Sequence, residues 1–240
     1  MIFEFVEKLT HLRKVRKPKE VSRIWNKAFF QYFRRMSIKG GLVLKTDLWN
    51  EVIATHRSLT EPLQVVKPKR IIYVEREKEL CKIFSQNSKK SEIINGDISR
   101  IPLKEESVDV VIDISTSDHL PIQKFKKSIK EYRRVLKEGG CLVLFHFNKD
   151  YFNVKYQKKI EEKILSSFPR KDEEIENIIK KTGFCIHWKR FLIHCLDDTL
   201  VGLVVLFFLK LFKLDKVYDI IAYGLNSRLL SLQIGYLCFK

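Results

Sequence analysis

An α/β fold built on a doubly wound parallel sheet is what this sequence predicts, and three observations predict it. Short apolar runs alternate with segments of helical period from residue 41 to residue 147. The runs are apolar almost throughout rather than at every second position, as strands covered on both faces must be. Glycine pairs, Gly40-Gly41 and Gly139-Gly140, mark places where the period changes. Right-handed crossovers then put helices on both sides of the sheet and ligands at the carboxyl ends of its strands.

Residues 1–40 form a basic helical extension in which Ile24, Trp25, Ala28, Phe29, Tyr32 and Phe33 make one apolar stripe at helical spacing. Such a stripe fits a helix docked on a core. After Gly40-Gly41, Gly41 to Thr46 is a first strand and a helix is expected from about Asp47. Arg70 to Glu75 is a second strand, with Lys78 to Ser85 helical after it. Glu92 to Asp97 is a third strand, Val108 to Ser115 a fourth and Cys141 to Phe147 a fifth. The helix before the fifth strand shows its core face as Phe125, Ile129, Tyr132, Val135 and Leu136, and Gly139-Gly140 is its expected stop. Two more strands, Phe184 to His194 and Leu232 to Phe239, flank a helical apolar insertion at about residues 199–224. The domain proper is therefore expected to span residues 41–240.

Composition narrows the classes. A chain of 240 residues, 45% hydrophobic and 31% charged, is long enough for one sizeable domain with its own core. Its five cysteines are scattered, with no close pair to begin a zinc or redox motif, so no metal is expected. Three of them fall in strand-like runs and read as small core residues of a reducing, cytoplasmic protein. The formal charge of +17 favours anionic partners such as nucleic acid, acidic lipid or phosphorylated substrates; a well-solvated lysine-rich surface is the other reading. The basic stretch from Arg13 to Arg23 carries the same two readings, without aromatic interleaving to suggest nucleic-acid specificity. Glu4 and Glu7 interrupt the first residues, which argues against a signal peptide. The run Leu200 to Leu209 is about half the ~20 residues needed to span a bilayer, leaving peripheral membrane contact as an option.

Chemistry is expected just past the strands. Glu75 can accept hydrogen bonds from both hydroxyls of a ribose. Asp97, in Ile94-Asn-Gly-Asp-Ile98, can face an adenine amine, with Gly96 easing close backbone approach. The stretch Asp113 to Asp118 follows the fourth strand, where a substrate or a cofactor tail would lie. Helix capping or solvation is the alternative for each acid taken singly.

The stretch Asn95-Gly-Asp-Ile-Ser-Arg-Ile-Pro-Leu-Lys-Glu-Glu-Ser-Val-Asp-Val-Val-Ile-Asp-Ile-Ser115 resembles the centre of class I S-adenosylmethionine-dependent methyltransferases of the type 11-like group. So do Ser117-Asp-His-Leu-Pro121 and Glu131-Tyr-Arg-Arg-Val-Leu-Lys-Glu-Gly-Gly-Cys-Leu-Val-Leu144. The resemblance covers about residues 41–148. It implies a Rossmann-like sheet of seven strands, the last antiparallel, with S-adenosyl-L-methionine as cofactor. It also implies cofactor contacts at Glu75, Gly96, Asp97, Ile98, Asp113 and Ser115.

The family's first strand normally runs into a Gly-x-Gly-x-Gly loop. Here Leu42-Val-Leu-Lys-Thr-Asp-Leu-Trp-Asn-Glu51 stands in its place, and Asp47, Trp49 and Glu51 occupy the glycine positions. Methyltransferase-like sequences with Leu-Lys-Thr-Asp at this point and Ser-Thr-x-Asp-His after the fourth strand are the most similar subgroup. On that likeness Lys45, Thr46 and Asp47 hold the cofactor through side chains, Asp47 on the methionine ammonium, provided Trp49 turns into the core. Asp118 and His119 are the catalytic candidates, His119 as a proton acceptor near neutral pH. A cap on the next helix is the structural alternative for His119. The expected activity is methyl transfer to a small-molecule or lipid-like acceptor. A catalytically silent scaffold domain and an RNA methyltransferase are the alternatives.

Overall fold

The computed structural model describes residues 29–30, 33–34, 41–53, 55, 58–63, 65–88, 91–150, 168–194, 208, 212, 217 and 231–240. The basic stretch Arg13 to Arg23, Cys195 and nearly all of the expected insertion at 199–224 lie outside them. Seven strands make one sheet: β1 (Leu42–Thr46), β2 (Arg70–Glu75), β3 (Glu92–Asn95), β4 (Val108–Ile114), β5 (Leu136–Phe147), β6 (Cys185–His194) and β7 (Ser231–Phe239). Their spatial order is β3-β2-β1-β4-β5-β7-β6. The pairs from β3 to β5 are parallel, and β7 alone runs against its two neighbours, β5 and β6. The order reverses between β1 and β4, so this seam is the topological switch point where a ligand crevice is expected.

The pleat sends successive side chains to opposite faces, and each face has its own cover. Leu44, Val111, Leu142 and Leu144 meet α4 (Ile122–Val135) and α5 (Asp172–Lys181) through Phe125, Ile129, Tyr132, Ile175 and Ile179. Val43, Val110, Ile112, Val143 and Phe145 face Phe29, Phe33, Leu59 and Leu63. Phe29 stands edge-on to Phe145 with ring centroids 4.6 Å apart, so this part of the N-terminal stripe is a docked helical face. Burying a phenylalanine contributes about 1.5–3 kcal/mol, so the two rings anchor this turn on the sheet.

Four differences from the sequence expectations have physical causes. The helix expected after Asp47 is one turn, α1 (Trp49–Val52), followed by a second short turn, α2 (Thr60–Leu63), and then α3 (Lys78–Asn87) after β2. Trp49 is 50% exposed, and Leu48 instead fills the small core beside Tyr73 and Phe84. Helix α4 ends at Val135 rather than at the glycine pair, because Leu136 already pairs with Val108. A Cβ on Gly140 would stand 2.8 Å from the Lys137 carbonyl, so glycine is required there for the chain to double back closely. Of the strand cysteines, Cys141 and Cys238 are buried, but Cys185 is exposed because β6 is an edge strand. Among the described residues no helix is long and apolar enough to cross a membrane.

Candidate functional site

Two residues with left-handed backbones flank the switch point. Asp47, just past β1, has φ 55°, and Ser115, just past β4, has φ 61°. Side chains with a Cβ resist this region, and such strain gathers at sites where geometry matters. Between them stands Thr116. Its hydroxyl donates to Asp47 Oδ2, so in the 2.7 Å contact between the two threonine hydroxyls Thr46 is the donor. The Trp49 amide donates to Asp47 Oδ1 at 3.0 Å. Asp47 keeps 16% side-chain exposure, so its carboxylate still faces the crevice edge.

Lys45 occupies the interior below this loop and is wholly buried. Its ammonium donates to the carbonyls of Thr46 at 3.1 Å and Asp47 at 2.9 Å, and lies 3.0 Å from Glu51 Oε2. That contact is an ion pair without directed hydrogen-bond geometry. Burial works against the charge, but the carboxylates of Asp47 and Glu51 outweigh it and hold the ammonium pKa above its ordinary value. The ammonium thus pins two carbonyls at the junction of β1 and the loop that follows it.

At the end of β2 the Glu75 carboxylate is 6% exposed. Oε2 accepts the Leu48 amide and Oε1 the Glu77 amide, each at 2.8 Å, so Glu75 holds the β1 loop and the entrance to α3. Each oxygen retains a lone pair for a further donor. Beside it the Gly96 amide donates to the Glu75 carbonyl at 2.9 Å. Asp97 Oδ1 accepts from the amide and hydroxyl of Ser99 at 2.8 and 2.7 Å. Burial raises the Asp97 pKa, but these bonds and Lys124 outweigh it and leave it lowered. Ile98 is 6% exposed and packs in the α4-side core.

The structure brings Lys45, Thr46, Asp47, Glu75 and Ser115 to one end of the sheet and turns other candidates away. Asp113 is fully buried: its oxygens accept the amides of Thr116 and Ser117 at 3.0 and 3.3 Å and the Tyr132 hydroxyl at 2.9 Å. It braces the turn after β4 from inside, because its position in the pleat points it at α4. Asp118 is also fully buried, 2.5 Å from His146 Nδ1, and accepts the Phe147 amide. His119, next in sequence, is exposed. The one-turn 3-10 helix Ser117–His119 rotates neighbouring side chains in different directions, so this pair does not share a site.

Five residues escaped the sequence reading. Glu51 and Thr116 sit beside residues already singled out. Gln233 and His146 were signalled by polarity within apolar strands, Leu232-Gln-Ile234 and Phe145-His-Phe147. Gln233 Nε2 donates to Ser115 Oγ at 2.6 Å while its buried Oε1 has no partner. Arg170 carried no signal, because its position depends on a distant segment.

Residues 54–144 match the family model described as a methyltransferase domain. No curated protein matches the chain significantly. Among solved structures it is similar to an S-adenosylmethionine-dependent methyltransferase from Mesorhizobium loti, with TM-score 0.61 and 7% identity over 88% of this chain and 95% of that one. An S-adenosylmethionine-dependent methyltransferase from Archaeoglobus fulgidus aligns over 100% and 99% of the two chains, with TM-score 0.58 and 14% identity. The [4+2]-cyclase SpnF aligns over 90% and 80%, with TM-score 0.58 and 12% identity. Structural likeness at such identities speaks for the fold, and the sequence match speaks for the domain at residues 54–144. Residues 54–144 thus match a methyltransferase domain, and the sheet order of the whole is that of the Rossmann-like methyltransferase fold.

Proposed function

We propose that the chain binds S-adenosylmethionine across the carboxyl ends of β1, β2 and β3 and transfers its methyl group to a small-molecule or lipid-like acceptor. The observation that carries this reading is the pair of carboxylates, Asp47 and Glu75, on adjacent strand ends beside the switch point. The donor set suits the cofactor. Glu75 has lone pairs for the ribose hydroxyls, and Asp47 offers the methionine ammonium a carboxylate already oriented by Trp49 and Thr116. Gly96 and Asp97 border the adenine end. Lys45 acts at one remove, holding the carbonyls of Thr46 and Asp47 so that the loop needs no glycine.

The cofactor supplies an electrophilic methyl group, so the protein's task is to align the acceptor and exclude water. Ser115 and Gln233 border the carboxyl ends of β4 and β5, on the face that also carries Phe29, and suit a polar group of the acceptor. The oxygens of Asp113 and Asp118 are occupied by the Thr116, Ser117 and Phe147 amides, the Tyr132 hydroxyl and His146, which leaves both acids supporting roles, whereas Gln233 Oε1 has no donor among the described residues.

A silent binding domain is the second reading. The hydroxyl bridge from Thr46 and Asp47 to Thr116 favours it, since it spans the seam that a ligand would enter. Calorimetric titration with S-adenosylhomocysteine separates the two. The enzyme reading expects saturable binding, weakened about tenfold or more in Asp47→Ala by loss of a charge-assisted contact. Absence of binding to the wild type at millimolar ligand would leave the silent domain.

A further inference from the structure

We infer that the opposite end of the sheet carries a second site, for the phosphate group of a small anion. The inference is independent of the methyl-transfer reading. A cleft of about 320 Å³ opens there, bordered by Glu105, Glu106, Lys130, Arg133, Arg134 and Lys240. It lies where β4 begins and β7 ends, remote from Asp47.

The acids around this cleft gather on two of its cations, Arg134 and Lys240, and leave the other two, Lys130 and Arg133, without one among the described residues. Arg134 donates to Glu131 and to the carbonyls of Ile101 and Leu103, and Glu105 adds to its negative surroundings. Lys240 Nζ stands 3.0 Å from Glu106 and 3.4 Å from Glu138. Among the described residues Arg133 and Lys130 have no acidic partner. Arg133 Nε is buried without any hydrogen-bond acceptor. A desolvated donor on a permanently charged group is costly to leave unmade, and native structures rarely do so without reason.

The neighbouring helix end does not satisfy it. The carbonyls of Ile178, Ile179 and Lys180 are taken by the amides of Thr182, Gly183 and Phe184, and the Thr182 hydroxyl also donates to Ile178. Gly183 makes room for the guanidinium: a Cβ there would stand 2.9 Å from Arg133 Nε, and its φ of 92° also favours glycine. Lys130 and Arg133 are three residues apart on α4 and so share a face. A planar guanidinium fork beside an ammonium matches a phosphate, whose oxygens take two parallel N–H donors and whose second charge suits the second cation. The chain's +17 charge raises the local concentration of any such anion.

The test titrates the whole chain with inorganic phosphate and, separately, with glycerol 3-phosphate, holding ionic strength constant with chloride. The readouts are the unfolding midpoint and the arginine Nε–H resonances in a 1H–15N spectrum, with Arg133 assigned by its loss in Arg133→Gln. We expect a saturable rise in midpoint and movement of the Arg133 resonance, with binding at least about tenfold weaker in Arg133→Gln and weakened in Lys130→Gln. Lys127→Gln, an exposed site on the same helix, should leave binding unchanged. A response to both ligands identifies a free or esterified phosphate as sufficient, and a response to the ester alone identifies an esterified source. An unmoved Arg133 resonance with both ligands, or equal responses from wild type and Arg133→Gln, overturns the site.

Discussion

The Asp118 carboxylate stands 2.5 Å from His146 Nδ1, with both side chains fully buried. On the far side of the ring, Nε2 lies 2.8 Å from Arg170 Nη1. A guanidinium can only donate, so Nε2 accepts and the ring proton sits on Nδ1, shared with Asp118. Arg170 also reaches the Leu120 carbonyl and covers the Phe125 ring at 4.4 Å. The three side chains therefore cross-link the turn after β4, the end of β5 and the segment leading into α5.

This linkage predicts the cost of cutting its middle. His146→Ala removes a partner from a buried carboxylate and a buried guanidinium at once. Loss of one member of a buried charged set typically costs about 3–5 kcal/mol. Urea unfolding should show a loss of that order, with part of it recovered in His146→Gln. A loss below about 1 kcal/mol would mean that solvent reaches the pair.

Asp113 predicts a pH effect of the less usual sign. Burial raises its carboxyl pKa despite the hydrogen bonds from Ser117 and Tyr132, and the charge of Asp118 adds to the rise. The folded state therefore holds this proton to higher pH than the unfolded state, whose value is about 3.9, and the group loses stability as pH rises through that window. Asp113→Asn retains an acceptor for the turn amides and does not titrate. Its stability relative to wild type should improve as pH rises above about 4 and then level off. A difference independent of pH would show that Asp113 titrates alike folded and unfolded.

The sheet was largely legible because buried parallel strands need near-continuous apolar runs, and Arg70–Glu75 carries that signal without ambiguity. The strand ends were less so. Asp47 and Ser115 leave the pleat through left-handed backbones, and past such a residue alternation no longer tells which way a side chain points. That is why Asp118 resembles a ligand-facing acid in sequence but points inward in space, whereas Asp113, still within β4, is carried inward by the pleat itself. The early end of α4 rests on pairing between Leu136 and Val108, a contact across 28 positions that local patterning does not register.

Lys45 and Glu51 should behave as a coupled pair. Lys45→Met strands Glu51, whose side chain is only 3% exposed, and should cost about 3–5 kcal/mol. Removing both charges in Lys45→Met with Glu51→Leu replaces a buried ion pair by apolar volume, which is often close to neutral. A double-mutant cycle should therefore give a coupling of about 2 kcal/mol or more. Additive losses would show that the ammonium is held mainly by the carbonyls of Thr46 and Asp47.

Gln233 offers the sharpest separation of function from stability. Its side chain is fully buried on β7, yet among the described residues Oε1 lacks a donor, and Nε2 donates to Ser115 Oγ. A buried carbonyl without a donor costs about 1–3 kcal/mol, comparable to or greater than the ~1 kcal/mol of a typical internal hydrogen bond. Leucine has nearly the same volume and no polar atom, so Gln233→Leu removes the unsatisfied carbonyl while forfeiting one hydrogen bond. The expected outcome is an unfolding free energy unchanged or raised by up to about 1 kcal/mol. That outcome would free the amide of a role in stability, as the proposed contact with the acceptor at the carboxyl ends of β4 and β5 requires. If Gln233→Leu instead unfolds more than about 2 kcal/mol too easily, the amide serves the sheet and Ser115, and the acceptor must be read by other side chains.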